Sequence, residues 1–377
     1  MSIKELEQTR EQIDEIDAKL VSLLKQRLDL VAEATEIKKD TDYPAFDKTR
    51  ESYVLQRGES LAKESSVPEG LVTDILRRVL RESYRLNSNT SFSYPRTLKT
   101  PGDVVIVGGN GGMGRIFASY FENSGYKVFS FGHRGWDKAP KYLKTAKIVI
   151  VSVPIDITVD VIKQLSPLLR EEQILCDFTS VKGPIVDAMM KYHKGPVLGL
   201  HPMFGPDVKS LIKQVVVTVP QRDESASAFL VEQLRLWGAQ ICKCNALEHD
   251  RAMSIIQALR HFSTFSYGNF LKTISPDLNK LIALSSPIYR LELMMVGRLF
   301  AQDPRLYSDI IMSSEDNLRL IEAFVESLRQ DLEYVKNRDY EGFTKAFLNV
   351  REYFSDFAQV AFKESGSILA KLQDERS

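Results

Sequence analysis

A glycine-rich run follows a short stretch of β-branched residues near position 104. The segment D-V-V-I-V-G-G-N-G-G-M-G-R-I-F places Gly109, Gly111 and Gly114 in the spacing G-x-G-x-x-G, between a predicted strand and a predicted helix. In this spacing the first glycine allows a tight turn, the second lets a pyrophosphate approach, and the third lets the helix pack on the strand. The start of the helix supplies N–H donors to the phosphates. The sequence therefore predicts a dinucleotide site that comprises Gly109, Gly111, Gly112, Met113 and Gly114.

The second predicted strand lacks the carboxylate that is expected about 20 positions after such a turn, where it would bind the adenosine ribose. The strand K-V-F-S-F ends instead in Gly132-His133-Arg134. We expect His133 and Arg134 to contact the cofactor there, and a basic residue at this position can accommodate a 2′-phosphate. The residues alone therefore leave both NAD and NADP open. Asp137 lies slightly later but still within reach.

His201 is the strongest candidate for a general base. It stands in G-L-H-P-M-F-G-P-D directly after a predicted strand, where a doubly wound sheet exposes its loops to ligand. A neutral imidazole can take a proton from an alcohol while a hydride leaves the same carbon. Ser180, after another strand, is predicted at the same edge, where it can hydrogen-bond the reacting oxygen or His201; a role as the N-cap of the next helix is equally expected and does not exclude the first. His133 and His193 lack such a setting and are predicted to be solvated surface residues.

Arginines stand in otherwise apolar stretches of the last third of the chain. Arg260-His261 follows I-I-Q-A-L, and both Arg290 and Arg298 lie in Y-R-L-E-L-M-M-V-G-R-L-F. An arginine among buried neighbours needs an anionic partner, because an unpaired buried charge costs several kcal/mol. A structural carboxylate or a substrate carboxylate would serve, and spacing alone does not choose between them.

Long helices are predicted to precede the glycine-rich turn. Residues 3–38 carry apolar side chains at spacings of three and four without glycine or proline, which predicts one amphipathic helix. Asp47 opens a second helix over 48–64, and a third begins at Val67-Pro68-Glu69 and runs to about Asn87. The first helix would be about 50 Å long, more than the other two can cover. It is therefore expected to pair with its copy in a dimer.

The middle of the chain alternates strand and helix patterns, and the last third is helical. This alternation is typical of a mostly parallel α/β sheet. The β-branched runs that predict its strands are 104–107, 127–131, 148–153, 174–177, 197–200 and 215–219.

These patterns predict a multidomain protein. An all-α domain covers 1–90, a linker within the Ser/Thr/Asn-rich stretch 87–101 covers 91–101, and an α/β Rossmann-like dinucleotide-binding domain covers 102–245. An all-α substrate and dimerisation domain covers 246–377, and its many apolar positions favour a second dimer contact.

The charge and cysteine content exclude several classes of partner. Basic and acidic residues each number 50, which gives no sign of a nucleic-acid or membrane partner, although residues 1–90, 91–245 and 246–377 carry −3, +6 and −3. The first residues lack the apolar core of a signal peptide and no apolar run approaches a membrane span, so we expect a cytoplasmic protein. Cys176, Cys242 and Cys244 are predicted to be thiols, with neither a disulfide framework nor a metal site.

Two runs together resemble those of a known enzyme family. V-L-G-L-H-P-M-F-G-P-D and S-S-P-I-Y-R-L-E-L-M-M-V-G-R-L-F-A-Q-D-P are similar to the dehydrogenase half of the bifunctional chorismate mutase/prephenate dehydrogenases. Residues 1 to about 90 resemble the all-helical mutase, which is active as an intertwined dimer. The resemblance spans essentially the whole chain. It implies an enzyme of tyrosine biosynthesis that rearranges chorismate to prephenate and oxidatively decarboxylates prephenate to 4-hydroxyphenylpyruvate.

The resemblance also implies which residues form the mutase site. Chorismate carries two carboxylates, and its rearrangement builds negative charge on the ether oxygen, which fixed cations and an acid can stabilise without a covalent step. Without the resemblance, cations on such a helix are more typical of a solvated face. The implied catalytic residues are Arg27, Lys38 and Glu51, and the implied substrate contacts are Arg10, Asp47, Arg50, Ser83 and Asn87, the last in place of a glutamine of the family.

In the dehydrogenase half, the resemblance implies that His201 deprotonates the 4-hydroxyl of prephenate, with Ser180 as its neighbour. Arg298 is the implied partner of a prephenate carboxylate, while His261 and Tyr307 line the pocket. A homodimer and feedback inhibition by tyrosine, which is similar to the product, are implied as well.

The cofactor and the first domain leave alternatives. NAD is expected from the resemblance, although the family carries an acidic residue where Gly132 stands. An NADP-dependent hydroxyacid dehydrogenase also pairs a nucleotide domain with a helical dimerisation domain. In that alternative, residues 1–90 form a non-catalytic dimerisation or ligand-sensing module.

Overall fold

The computed structural model describes residues 3–38, 41, 43–44, 46–89 and 94–374, without the side chains of 69 and 86–89. The chain divides into two compact units, Met1–Ala246 and Leu247–Ser377.

Three helices open the first unit: α1 (Ile3–Lys38), α2 (Lys48–Glu64) and α3 (Glu69–Asn89). The predicted cap of α2 is present, because the Asp47 carboxylate accepts a hydrogen bond from Arg50 N at 2.9 Å. Helices α2 and α3 pack closely, since a Cβ at Gly58 would lie 2.3 Å from Leu76 Cδ1. The all-helical prediction for this segment is confirmed.

The first helix keeps an apolar face that the rest of the single chain does not cover. Among its described residues only Thr35 is buried. Its exposed apolar side chains include Ile3, Leu6, Ile13, Ile16, Leu20, Val21, Leu23, Leu30 and Ile37. This face is available for a second copy of the chain, as the length of the helix predicts.

A seven-stranded sheet with the order β2-β1-β3-β4-β5-β6-β7 forms the centre of the first unit. All neighbouring strands are parallel except β5 and β6, which are antiparallel. The strands are β1 (Asp103–Val107), β2 (Val128–Phe131), β3 (Ala146–Val151), β4 (Ile174–Asp177), β5 (Val197–Pro202), β6 (Val215–Pro220) and β7 (Gln240–Lys243). The sequence did not predict β7, because Q-I-C-K lacks a β-branched run.

Helices cover both faces of this sheet. On one face Ile106 packs with the rings of Phe117 and Trp237, and on the other Val105 packs with Leu165. This two-sided core confirms the α/β Rossmann-like prediction. The helices are α4 (Gly112–Asn123), α5 (Ala139–Leu143), α6 (Ile155–Leu165), α7 (Gly183–Tyr192) and α8 (Glu224–Leu236), and short 3₁₀ turns cover Trp136–Lys138 and Ser166–Leu168.

Part of the predicted linker packs into this core. Tyr94 and Leu98 are buried, and Thr97 N donates to Gln233 Oε1 at 3.0 Å. Residues 94–101 have no regular structure, but they are anchored to the α/β domain rather than free of it. Composition does not reveal such anchoring, since it depends on contacts with α8.

Two side chains outside the candidate sites, His193 and Cys176, are buried, and burial determines their properties. His193 was predicted at the surface, but it is buried and its Nε2 lies 2.8 Å from Gln173 O. The prediction is wrong because α7 packs this end of the chain against the segment before β4. Cys176 is buried within β4, and burial raises the pKa of its thiol, so it is inert.

The described residues after β7 form helices joined by short turns and contain no strand, which confirms the all-α prediction for the last part of the chain. None of the helices formed by the described residues has the length and apolarity needed to cross a membrane. The helix α15 contains a break at Ser355, where φ is 44°. The helices are α9 (Ala246–Met253), α10 (Arg260–Ile274), α11 (Leu278–Leu284), α12 (Pro287–Phe300), α13 (Pro304–Ile311), α14 (Glu315–Asn337) and α15 (Tyr340–Asp374), with a π-helical segment at Ser254–Leu259.

Candidate active sites

The glycine turn connects β1 to α4, as predicted. The residue in the left-handed conformation is Gly108, with φ 84°, rather than Gly109. Gly109 lies within the turn, where its N donates to Ile106 O at 3.2 Å, and a Cβ there would lie 2.2 Å from Ser130 Oγ, so this glycine also permits the approach of β2. A Cβ at Gly114 would lie 2.6 Å from Gly109 Cα, so α4 packs against the turn.

The start of α4 is suited to an anion. The helix begins at Gly112, and the N–H groups of a first helical turn have no partner within their helix. A Cβ at Gly111 would meet Gly108 O at 3.2 Å and nothing else within 4 Å, so the backbone is open at this point. This geometry fits the pyrophosphate of a dinucleotide.

The end of β2 is also open. His133 and Arg134 are exposed, and a Cβ at Gly132 would meet no atom within 4 Å. Space therefore does not exclude an acidic residue at this position. Asp137 is exposed in the 3₁₀ turn that follows.

His201 lies inside β5 and is only 3 % exposed, where it pairs with Val217 of β6. The predicted loop position is wrong, because antiparallel pairing with β6 prolongs β5 to Pro202. The last pair between β4 and β5 is Asp177 with Gly199. His201 therefore stands two residues beyond the carboxyl end of its parallel neighbour, at the edge of the sheet where ligands bind.

A buried ion pair that the sequence did not predict lies at this edge. Lys182 Nζ contacts Asp177 Oδ2, both side chains are 0 % exposed, and Lys182 Nζ also lies 3.1 Å from Thr179 Oγ1. These contacts fix the loop that carries Ser180, which is partly exposed. The prediction that Ser180 caps the next helix is wrong, since Lys182 is the residue that precedes α7.

The second unit contains an apolar cavity of about 800 Å³ with His261 and Tyr307 in its wall. The two rings meet edge to face, with centroids 4.8 Å apart. Burial, together with the Arg260 charge, lowers the pKa of His261 to about 4. His261 is therefore neutral near pH 7 and can offer a hydrogen bond but no positive charge.

The arginines of the second unit are less buried than the sequence predicted. Arg260 and Arg298 are exposed in the single chain, and Arg290 is half-buried with Nη1 donating to Leu372 O at 3.3 Å. The expectation that these arginines are buried is thus wrong for Arg260 and Arg298 in the single chain. Each lies on a helix face that points away from the unit's own core.

Arg27 and Ser83 meet between α1 and α3. Arg27 Nη1 donates to Ser83 Oγ at 3.3 Å, and Ser83 is buried. Burial and the nearby positive charge of Arg50 lower the pKa of the Arg27 guanidinium, which remains charged at neutral pH. A half-buried cation with another cation beside it favours an anionic ligand.

Lys38 lies close to Tyr43 and Asp47. Its Nζ lies 4.8 Å from the centroid of the Tyr43 ring, and the Tyr43 hydroxyl donates to Asp47 Oδ2 at 2.8 Å. The hydrogen bonds from Arg50 N and Tyr43 lower the pKa of Asp47, so its carboxylate is ionised.

Arg10 lies on α1, 17 residues before Arg27, which corresponds to about 26 Å along the helix. Within one chain it does not join the Arg27 cluster. The side chain of Asn87 lies outside the described residues.

Glu51 has two partners that sequence reasoning missed. The Tyr84 hydroxyl donates to Glu51 Oε2 at 2.7 Å, and Lys213 Nζ of the α/β domain pairs with Glu51 Oε1. Burial and the Glu51 carboxylate raise the pKa of Tyr84, so its phenol stays protonated.

Glu51 and Tyr84 also line a cavity of about 550 Å³ between α3 and the segment before β6. Its wall carries six basic residues and two acidic ones, and this excess of positive charge favours anions. The basic residues of the wall are Arg77, Arg78, Arg81, Arg85, Lys209 and Lys213.

Three family models match the chain. Chorismate mutase type II matches residues 9–88, the nucleotide-binding domain of prephenate dehydrogenase matches 135–243, and the dimerization domain of prephenate dehydrogenase matches 245–349. The T-protein of Enterobacter agglomerans is 46 % identical over 374 residues, which cover 99 % of this chain and 100 % of that protein. The chain belongs to the bifunctional chorismate mutase/prephenate dehydrogenase family.

Other relatives agree with this assignment. The T-protein of Haemophilus influenzae is 43 % identical over 98 % of this chain and 97 % of its own length. One similar solved structure is that of prephenate dehydrogenase from A. aeolicus in complex with hydroxyphenyl propionate and NAD+. It has a TM-score of 0.56 and a sequence identity of 20 % to this chain. The match covers 69 % of this chain and 99 % of that chain. That likeness shows a common fold for the dehydrogenase half.

The family assignment gives the chain two activities. It is a chorismate mutase, which is an isomerase, and a prephenate dehydrogenase, which is an oxidoreductase of tyrosine biosynthesis. The alternative of a hydroxyacid dehydrogenase with a non-catalytic first domain is not favoured, because the mutase model matches residues 9–88.

Proposed function

We propose that chorismate rearranges to prephenate at the cluster of Arg27, Arg50, Glu51 and Ser83 between α1, α2 and α3. The observation that carries this assignment is the half-buried guanidinium of Arg27, which bonds a hydroxyl and has a second cation beside it. Such a cation gains most from a dianionic substrate.

In the proposed mechanism the mutase acts by charge and orientation alone. Arg27 and Lys38 stabilise the negative charge that builds on the ether oxygen as the C–O bond lengthens, and Glu51 is the acidic group of the site. Asp47, Arg50, Ser83 and Asn87 hold the substrate. No covalent intermediate is required.

Arg10 acts from a second copy of the chain in this proposal. Its distance along α1 from Arg27, about 26 Å, places it outside the site of its own chain. The exposed apolar face of α1 supports pairing of two such helices, and the match of residues 245–349 to a dimerization domain supports a homodimer. One α1 then serves two sites.

Prephenate is oxidised at the carboxyl edge of the sheet, where His201 accepts the proton of the 4-hydroxyl and Ser180 hydrogen-bonds the same oxygen. NAD is the cofactor, and when bound it accepts the hydride from C4. Loss of the ring carboxylate restores aromaticity and gives 4-hydroxyphenylpyruvate. The first turn of α4, from Gly112 to Gly114, holds the pyrophosphate, and His133 and Arg134 contact the adenosine ribose.

In the second unit, Arg298 binds a prephenate carboxylate, and the neutral His261 with Tyr307 contacts the substrate from an apolar wall. Tyrosine, which is similar to the product, is a feedback inhibitor. The cytoplasm is the proposed location, supported by the free and exposed thiol of Cys242, which suits a reducing compartment.

A coupled assay tests the whole proposal. Purified protein given chorismate and NAD is expected to reduce the nicotinamide, and NADP is expected to support a kcat/KM at least about tenfold lower. Prephenate supplied directly separates the two half-reactions, and added tyrosine should slow the second. No reduction with either cofactor would overturn the assignment, and a preference for NADP would overturn the choice of NAD.

Replacing Arg298 by glutamine tests the carboxylate contact. The KM for prephenate is expected to rise about 10- to 100-fold, because a charge-assisted bond is lost, while the KM for NAD changes by less than about twofold. Arg329→Gln, which removes an exposed arginine of α14 beside Glu326, is the control and should change neither constant. A similar rise in both constants for the Arg298 variant would indicate misfolding and contradict the assignment.

A further inference from the structure

The proposed mutase carboxylate Glu51 is held by two segments that are far apart in sequence. The Tyr84 hydroxyl of α3 donates a hydrogen bond to Glu51 Oε2. The Nζ of Lys213, which precedes β6, pairs with Glu51 Oε1. Both carboxylate oxygens are therefore engaged. The Glu51 side chain is 13 % exposed and that of Lys213 is 45 % exposed, so the ion pair lies where the site opens to solvent.

The backbone of Lys213 aims this side chain. Lys213 has φ 64°, a left-handed conformation in which lysine is uncommon, and its N donates to Gly238 O at 2.9 Å. A glycine or asparagine would adopt this turn more readily. The observed lysine in such a position points to a role for its side chain.

The segment that precedes α2 packs against the turn that contains Lys213. Phe46, next to the Asp47 cap, lies beneath the Lys213 ammonium at 5.3 Å from its ring centroid, and it meets the Tyr84 ring edge-on at 5.9 Å. A Cβ at Gly238 would lie 3.2 Å from Phe46 Cβ. The α/β domain therefore contacts the mutase helices through both an apolar ring and a charge.

We propose that Lys213 is a positioning residue of the chorismate mutase, supplied by the dehydrogenase half of the chain. Glu51 lines a cavity with four arginines of α3, of which Arg77 pairs with Asp74 while Arg78 and Arg85 pair with Glu82. The excess of positive charge in this wall attracts the Glu51 carboxylate away from the substrate. Lys213 and Tyr84 fix the carboxylate against those cations. This inference rests on the role proposed for Glu51. It makes mutase turnover depend on a residue of the nucleotide-binding domain.

Substitution of Lys213 in the full-length protein tests this inference. Lys213→Met keeps most of the length of the side chain and removes its charge, and it is expected to lower the mutase kcat about 10- to 100-fold, since small displacements of a catalytic group have effects of this size. The KM for chorismate and the dehydrogenase rate on supplied prephenate should each change by less than about threefold. Lys213→Arg restores the positive charge and should return kcat to within about threefold of the original.

A matched control is Lys194→Met, which removes an exposed lysine of the same domain that pairs with Glu171 and should change neither activity. Three results would each overturn the inference: an unchanged mutase kcat in Lys213→Met, a raised KM for chorismate at unchanged kcat, or equal loss of both activities with lowered thermal stability. The second would make Lys213 a substrate-binding residue, and the third would make it a structural contact.

The variant Glu51→Gln distinguishes an error in the positioning role of Lys213 from an error in the role proposed for Glu51. A large loss of mutase activity in Glu51→Gln, with none in Lys213→Met, would refute only the positioning role. No loss in Glu51→Gln would refute the role proposed for Glu51, and the role of Lys213 with it. In the double variant Glu51→Gln/Lys213→Met, the losses of mutase activity caused by the two substitutions should be far from additive if Lys213 acts through Glu51.

Discussion

Replacing Arg27 by alanine is expected to lower the mutase kcat/KM for chorismate by about 10²- to 10³-fold, the usual cost of removing one fixed donor from a developing negative charge. The structure supports a large effect, because the Arg27 guanidinium is half-buried and bonds Ser83 at 3.3 Å. A site that is already partly desolvated gives each cation more influence than it would have in water.

Dehydrogenase activity on supplied prephenate should persist in Arg27→Ala, within about twofold of the original. Arg57→Ala, at an exposed position of α2, is the matched control and should leave both activities unchanged. Arg27→Lys keeps the positive charge but lacks the planar guanidinium. Its mutase kcat/KM should lie between that of Arg27→Ala and that of the original protein. Equal loss of both activities, or loss of neither, would show that the Arg27 cluster is not the mutase site.

Replacing His201 by asparagine is expected to lower the rate of hydride transfer from prephenate by about 10²- to 10⁴-fold, the range for loss of a general base. The affinity for NAD should hardly change, since the dinucleotide is bound by the turn before α4. The mutase half should keep its full rate on chorismate. Single-turnover measurement with supplied prephenate isolates the step, because product release does not then limit the signal.

His193→Asn is the control for this substitution, because His193 is also buried and its ring Nε2 lies 2.8 Å from a main-chain oxygen, Gln173 O. That variant should lose stability, by about 1–3 kcal/mol, and keep its turnover per folded molecule. Unchanged hydride transfer in His201→Asn would remove His201 from the mechanism. A loss in both variants would point to disturbed folding of the sheet instead.

Elements whose signals are local were predictable. The long α1, the Asp47 cap of α2 and the glycine turn before α4 each depend on residues within one or two helical turns of each other. Six of the seven strands follow β-branched runs, whereas β7 carries no such run and is specified by its pairing with β6. Local pattern therefore accounts for nearly all of the architecture.

Burial at the sites was less predictable. His201 was expected on a loop, and only the antiparallel pairing with β6 places it inside a strand. The pair of Asp177 and Lys182 spans five residues across a loop, so an acid at the end of a buried strand was the only signal available. Arg298 was expected to be buried because its neighbours on α12 are apolar. In the single chain its side chain is exposed.

The sequence by itself determined the three kinds of domain and the family, because periodicity and motif spacing are properties of short segments. Only the tertiary structure decided which of those residues are brought together. Lys213 and Glu51 are 162 positions apart, and no local pattern relates them. Their ion pair exists because Phe46 packs against the turn at Gly238, and packing between distant segments depends on the shape of both at once.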